Sequence, residues 1–108
     1  MSEIDDVRVR HILDAAREAV SFSKGRCRAD LDTDRKLNLS LVRLLEIIGE
    51  AAKNVSDELK DKFPQIPWKD LAGVRDKLIH HYFGVNFDIV WNIVKQELPD
   101  VLSQLEEI

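Results

Sequence analysis

The spacing of apolar residues between Leu37 and Ala52 constrains the fold most: Leu37, Leu41, Leu44, Leu45, Ile48 and Ala52 recur at intervals of three and four. That spacing gathers side chains on one side of an α-helix and scatters them over both faces of a strand. Thr33 and Asp34 supply an N-cap and a negative first turn, so a helix is predicted from there to about Asn54. Val42 and Ile47 widen its apolar stripe beyond one core-facing seam, which points to burial on two sides. A second copy of the chain would cover the excess.

The rest of the chain follows the same period. Ile4, Val7, Ile12, Ala15, Ala16, Ala19, Val20 and Phe22 predict a first amphipathic helix that Gly25 ends, and the polar run Arg26 to Thr33 reads as a connection. Ser56 opens a short helix ending near Phe63, before Pro64 and Pro67 restrict the backbone. Pro67 suits the first turn of a further helix carrying Trp68, Leu71, Val74, Leu78 and Ile79, with a break at Gly84. Asn86 or Asp88 starts a last segment, Phe87 to Glu97, and Pro99 either kinks it or begins another helix. With no alternating pattern and no repeat, the chain is expected to be all-α. The architecture predicted is an up-and-down bundle of four main helices with one short additional helix, a single domain over residues 1–108.

Apolar residues make up 44% and charged residues 33% of the chain, a balance that favours a folded helical domain over disorder. The acidic start Met1 to Asp6 has no signal-like apolar run, so a cytoplasmic protein without membrane attachment is expected. Cys27 is the lone cysteine and reads as an incidental exposed thiol. His11, His80 and His81 lack metal-ligand spacing, so no metal or other cofactor is expected. Trp68 and Trp91 read as core or interface residues. A net charge of −4 offers no broad basic footprint, so any contact with nucleic acid must be made by a local cationic site.

Such a site exists in the stretch Arg75-Asp76-Lys77-Leu78-Ile79-His80-His81-Tyr82. Cleaving RNA without a metal needs a base for the 2′-hydroxyl, an acid for the departing 5′-oxygen and positive charge for the transition state. An imidazole such as that of His80 can do the proton work, and a guanidinium such as that of Arg75 can hold two phosphate oxygens at once. Asp76 stands four residues before His80, at helical contact distance, to fix its tautomer, and Tyr82 can orient phosphate or stack on a base. On one straight helix, Arg75 and His80 point about 140° apart. Either the helix ends near His80, or two copies of the chain compose one site; the second route is favoured because the wide apolar stripe already asks for a partner. The same residues also read as cations complementing a helix C-terminus, with Asp76 and His80 as a surface pair.

The order Arg75, four residues, His80, one residue, Tyr82 resembles the Arg-x4-His-x-Tyr signature of HepT-like toxins of the HEPN superfamily. Its surroundings are similar too: Arg43 to Ala52 upstream, Ile66-Pro67-Trp68 leading in, and Val90-Trp91 and Leu98-Pro99 after it. The resemblance runs from roughly Arg8 to the C-terminus. It implies a helical homodimer with a shared cleft and metal-independent endoribonuclease activity. It also implies a type VII-like toxin–antitoxin pairing, in which a minimal nucleotidyltransferase antitoxin neutralises the toxin. Carried onto this sequence, it makes Arg75 and His80 catalytic and Tyr82 the tyrosine that receives AMP. Asp76 stands where relatives often have Asn, which should partly neutralise Arg75 and weaken activity. The alternative is a non-catalytic helical subunit that presents a nucleotide or substrate to a nucleotidyltransferase.

Overall fold

In the computed structural model, residues 2–80 and 84–108 are described, His80 by its backbone alone. Helix α1 (Glu3–Ser23) begins at Ser2, whose hydroxyl accepts from the Asp5 N–H at 3.1 Å. Its buried side is Val9, Ile12, Ala15, Ala16 and Ala19, whereas Ile4, Val7 and Phe22 are exposed, so the core-facing stripe is narrower and rotated from the one expected. Gly25 ends the helix region with φ +71°, a conformation that disfavours any side chain. The connection expected from Arg26 to Thr33 contains one helical turn, α2 (Asp30–Thr33). Arg26 braces it, reaching Asp30 at 3.2 Å and Asp34 at 2.7 Å, while Leu31 is fully buried beneath.

Helix α3 (Arg35–Lys53) is the central element. Asp34, the second of the two residues expected to supply the cap and first turn, caps it through the Leu37 N–H at 3.1 Å, while Thr33 ends α2. Leu41, Leu45 and Ile48 are almost fully enclosed and face α1. The two helices run antiparallel, because buried Asp5 at the start of α1 accepts the Ser56 N–H at 2.9 Å and the Ser56 hydroxyl at 2.5 Å, just beyond the end of α3. The Ser56 hydroxyl in turn caps α4 (Asp57–Lys62), accepting from the Leu59 N–H. These bonds hold the Asp5 carboxyl below the usual carboxylate range against the opposing effect of burial, with the Ser56 hydroxyl the largest cause.

The single helix expected from Pro67 onward is two, α5 (Trp68–Ala72) and α6 (Val74–Leu78), broken at Gly73. Trp68 is buried and donates its indole N–H to the Phe63 carbonyl at 3.0 Å, a core role. Helix α6 stops well before the expected break at Gly84. Two short antiparallel strands follow, β1 (Ile79–His80) and β2 (Gly84–Val85), pairing Ile79 with Val85 and His80 with Gly84. The Leu78 carbonyl accepts from the Asn86 N–H at 2.8 Å.

Asn86 caps α7 (Phe87–Asn92), accepting from the Asp88 and Ile89 N–H groups at 2.9 and 3.2 Å. A π-helical turn, Ile93–Glu97, joins α7 to α8 (Leu98–Glu106) without a gap. The cause is Pro99, which lacks an N–H and whose ring crowds the carbonyl four residues back; the wider turn there relieves both. The pair α7–α8 closes the bundle, with Val90, Val94 and Leu98 in the core. Trp91 is half-buried against that core, its ring 5.5 Å from the Lys95 ammonium. Among the described residues the fold is therefore all-α but for this pair of short strands, with four principal helical segments and short accessory helices. No helix among the described residues is long and apolar enough to cross a membrane.

Candidate active site

Gly49 determines how closely the motif-bearing segment approaches α3. A Cβ at this position would lie 2.9 Å from Val74 Cγ1 and 3.1 Å from the Leu71 carbonyl oxygen, so only a glycine lets the α5–α6 junction settle onto α3. Close approach places Arg75, the second residue of α6, opposite Glu46. Its Nε lies 3.8 Å from Glu46 Oε2, and its side chain is 69% exposed. This is a loose contact across a wide mouth rather than a closed ion pair.

Arg75 and Asp76 line an open cleft of about 580 Å³ with Arg43, Glu46, Glu50 and Lys53 of α3. Cations and carboxylates are interspersed there, so the guanidinium of Arg75 faces solvent beside charges of both signs. A second groove of about 540 Å³ lies on the other side of the α3 ridge, where Arg8 and His11 of α1 join Arg43 and Glu50. Arg43 and Glu50 line both.

His80 does not stand on the helix that carries Arg75. The backbone turns extended at Ile79, with φ −100° and ψ 121°, and His80 follows in β1. The helical register that would put Asp76 beside His80 is therefore absent, and so is the straight-helix geometry that would point Arg75 and His80 apart. Of the two routes considered for uniting them, the early end of the helix is present. The proposed imidazole contact, His81 and Tyr82 lie outside the described residues.

The segment after the motif is anchored from afar. Arg28, in the connection between α1 and α3, donates from Nε to Asp88 at 2.6 Å and from Nη1 to Asp32 at 3.0 Å. Its guanidinium also lies 6.0 Å from the Phe87 ring centre. The bonds to Asp32 and Asp88 raise the Arg28 pKa above its ordinary value, in that order of importance. Thus a fixed arm from the opposite side of the sequence holds the start of α7, two residues beyond β2.

Glu46, Arg43 and Glu50 were not singled out from the sequence as site residues. The signal was present in their spacing: with Leu39 they recur at four, three and four residues along the face of α3 opposite its buried stripe.

Comparison with known proteins gives the family. The family described as Ribonuclease HepT-like matches residues 12–108. Several relatives are named Putative RNase. One from Methanocaldococcus jannaschii is 41% identical over 90% of this chain and 80% of its own length. The one from Caldanaerobacter subterraneus subsp. tengcongensis is 44% identical over 93% of this chain and 89% of its own. A protein of Thermococcus cleftensis named Probable ribonuclease HepT is 39% identical over 90% of this chain and 88% of its own length. No solved structure matches. With a matching family that spans nearly the whole chain and relatives at about 40% identity, this all-α, HEPN-like protein belongs to the HepT-like ribonuclease family.

Proposed function

We propose that this ribonuclease is a metal-independent endoribonuclease toxin that cuts RNA at a cleft built around Arg75 and His80. The observation that carries the reading is the state of Arg75: an exposed guanidinium at the wall of an open cleft, held only loosely by Glu46 at 3.8 Å. A phosphodiester entering the cleft replaces that weak contact with two charge-assisted hydrogen bonds. Arg75 then stabilises the charge that builds on the phosphorus oxygens. The His80 imidazole takes the 2′-hydroxyl proton, or returns one to the departing 5′-oxygen. Asp76, in the same cleft, serves as the local counter-charge that tempers Arg75, and Tyr82 orients the phosphate.

The working unit is a homodimer whose two copies share the cleft. Exposed Ile4, Val7, Leu39 and Ile79 support this, since each leaves apolar surface that a second copy would cover. The partner that restrains the toxin is a nucleotidyltransferase acting as antitoxin. The Tyr82 oxygen attacks the α-phosphorus of ATP, a phosphorus–oxygen bond forms, pyrophosphate departs and the phenolic proton passes to solvent. The added AMP brings bulk and negative charge to a site meant for a phosphate, and RNA is repelled.

The test is cleavage of single-stranded RNA in EDTA by the unmodified protein, the Arg75→Ala variant and the His80→Ala variant. Activity should persist without metal and fall by about 10²–10³ in each variant, the usual loss when a transition-state donor is removed. If the variants cut as fast as the parent, Arg75 and His80 are not the catalytic pair. If the parent does not cut but binds a nucleotidyltransferase tightly, the chain is a non-catalytic subunit.

A further inference from the structure

We infer that Arg43 and Arg8 form a second phosphate-binding subsite, across the α3 ridge from Arg75, that takes the backbone of single-stranded RNA beyond the scissile bond. This rests on the ribonuclease reading of the cleft. Arg43 is exposed and lines both grooves, the one it shares with Arg75 and the one it shares with Arg8 and His11. With Glu50, it is one of the two residues common to both depressions, and of these the cation.

Two of the carboxylates nearby have partners of their own, while Asp76 shares the first groove with Arg43. Glu46 turns towards Arg75 at 3.8 Å, and Glu50 accepts from Asn54 Nδ2 at 3.3 Å. Among the described residues neither Arg43 nor Arg8 takes part in an ion pair or a side-chain hydrogen bond. The arginines of the α1–α3 connection differ: Arg26 and Arg28 each hold two aspartates. Arginines left unpaired at the rim of two joined grooves, in a chain of net charge −4, are placed where a polyanion can use them.

An RNA strand lying across α3 would put one phosphate on Arg75 and a neighbouring one over Arg43. The strand would then leave along α1 past Arg8 and His11. Its ligand class is thus a run of backbone phosphates without base specificity, because Arg8, His11 and Arg43 supply the cations of the groove and the Asn54 amide nitrogen there is tied to Glu50.

The test is binding of an uncleavable 2′-O-methyl oligonucleotide to the full-length protein over a range of salt. Arg43→Ala and Arg8→Ala should each weaken binding about tenfold, as loss of a charge-assisted contact does. Each should also reduce the slope of log affinity against log salt by about 0.7. Arg43→Lys should keep the slope while losing part of the affinity. Arg17→Ala, which removes an exposed cation paired with Glu106 and absent from both grooves, should change neither. The subsite is refuted if Arg43→Ala binds within about twofold of the parent, or if Arg17→Ala weakens binding equally, which would mean that bulk charge alone is read. Because the oligonucleotide is not cut, these outcomes are independent of whether Arg75 and His80 perform the chemistry.

Discussion

Gly49 of α3 and Val74 at the start of α6 touch so closely that one added methyl group would lie 2.9 Å from Val74 Cγ1, with the Leu71 carbonyl oxygen at 3.1 Å. The valine methyl can swing aside, but the carbonyl belongs to the backbone of α5. Gly49→Ala should therefore push the α5–α6 junction outward and cost about 1–3 kcal/mol, the range for overpacking a filled interior. This would happen even though alanine is the better helix former. Since Arg75 follows Val74, the same shift should lower ribonuclease activity more than the stability loss alone explains. Urea denaturation and cleavage rates on the folded variant check the two parts separately.

Asp5 and Ser56 make a second joint, and its pH dependence is readable. The folded-state carboxyl of Asp5 lies below its ordinary value because Ser56 donates to it twice. A depressed carboxylate stabilises the fold above the unfolded pKa of about 3.9, and this contribution is lost as pH falls through the lower folded value. Asp5→Asn should cost about 1.5–3 kcal/mol at neutral pH, the range for hydrogen bonds to charged groups, and the gap from the parent should close below about pH 4. The variant should still lose stability in acid, because Asp30 and Asp34 are also depressed, the first chiefly by the Cys27 N–H and the second by Arg26. Denaturant titrations from neutral to acid pH on both proteins measure the closure. A constant gap would mean that the carboxyl titrates alike in both states.

Asn86 links the hairpin to α7 and gives a third prediction. Its side-chain oxygen accepts from two N–H groups of the first turn of α7, and its own N–H goes back to the Leu78 carbonyl. Asn86→Ala should cost about 1 kcal/mol as a lost cap. Amide exchange should quicken first in residues 87–90, and α1 and α3 should be unaffected.

These joints show what the sequence could and could not reveal. The cap Ser56 and the helix end at Gly25 were legible, and the caps Asp34 and Asn86 were each narrowed to a pair with Thr33 or Asp88, because each rests on a local rule of side-chain type. The break at Gly73 was not, since one glycine within an apolar period reads as tolerated. Nor was α2, where Leu31 is the only large apolar residue and the turn is built by Arg26 reaching two aspartates. A two-residue strand carries no alternation to detect, so the end of α6 at Leu78 was invisible too. It arises because the Asn86 N–H takes the Leu78 carbonyl that a continuing helix would have used. Arg75, which lines the cleft, was a candidate from the density of reactive groups around it. Glu46 was not, because only the tertiary approach permitted by Gly49 brings residues so distant in sequence together.

Glu46 supplies the last prediction, because it contacts Arg75 and, on the proposed role of Arg75, must release it for RNA. At 3.8 Å, with Arg75 69% exposed, the pair is worth at most about 1 kcal/mol. Any phosphate that binds Arg75 competes with that carboxylate. Glu46→Gln should therefore tighten the apparent substrate affinity by up to about fivefold at low salt, and the advantage should fade as salt screens the parent's contact. The rate at saturating RNA should stay near that of the parent, since the transition state already has the guanidinium to itself. Steady-state kinetics at two salt concentrations separate this from the opposite role. A fall in kcat with unchanged KM would mean that Glu46 aims Arg75 at the phosphate during the reaction, and competition would then be the wrong description of the pair.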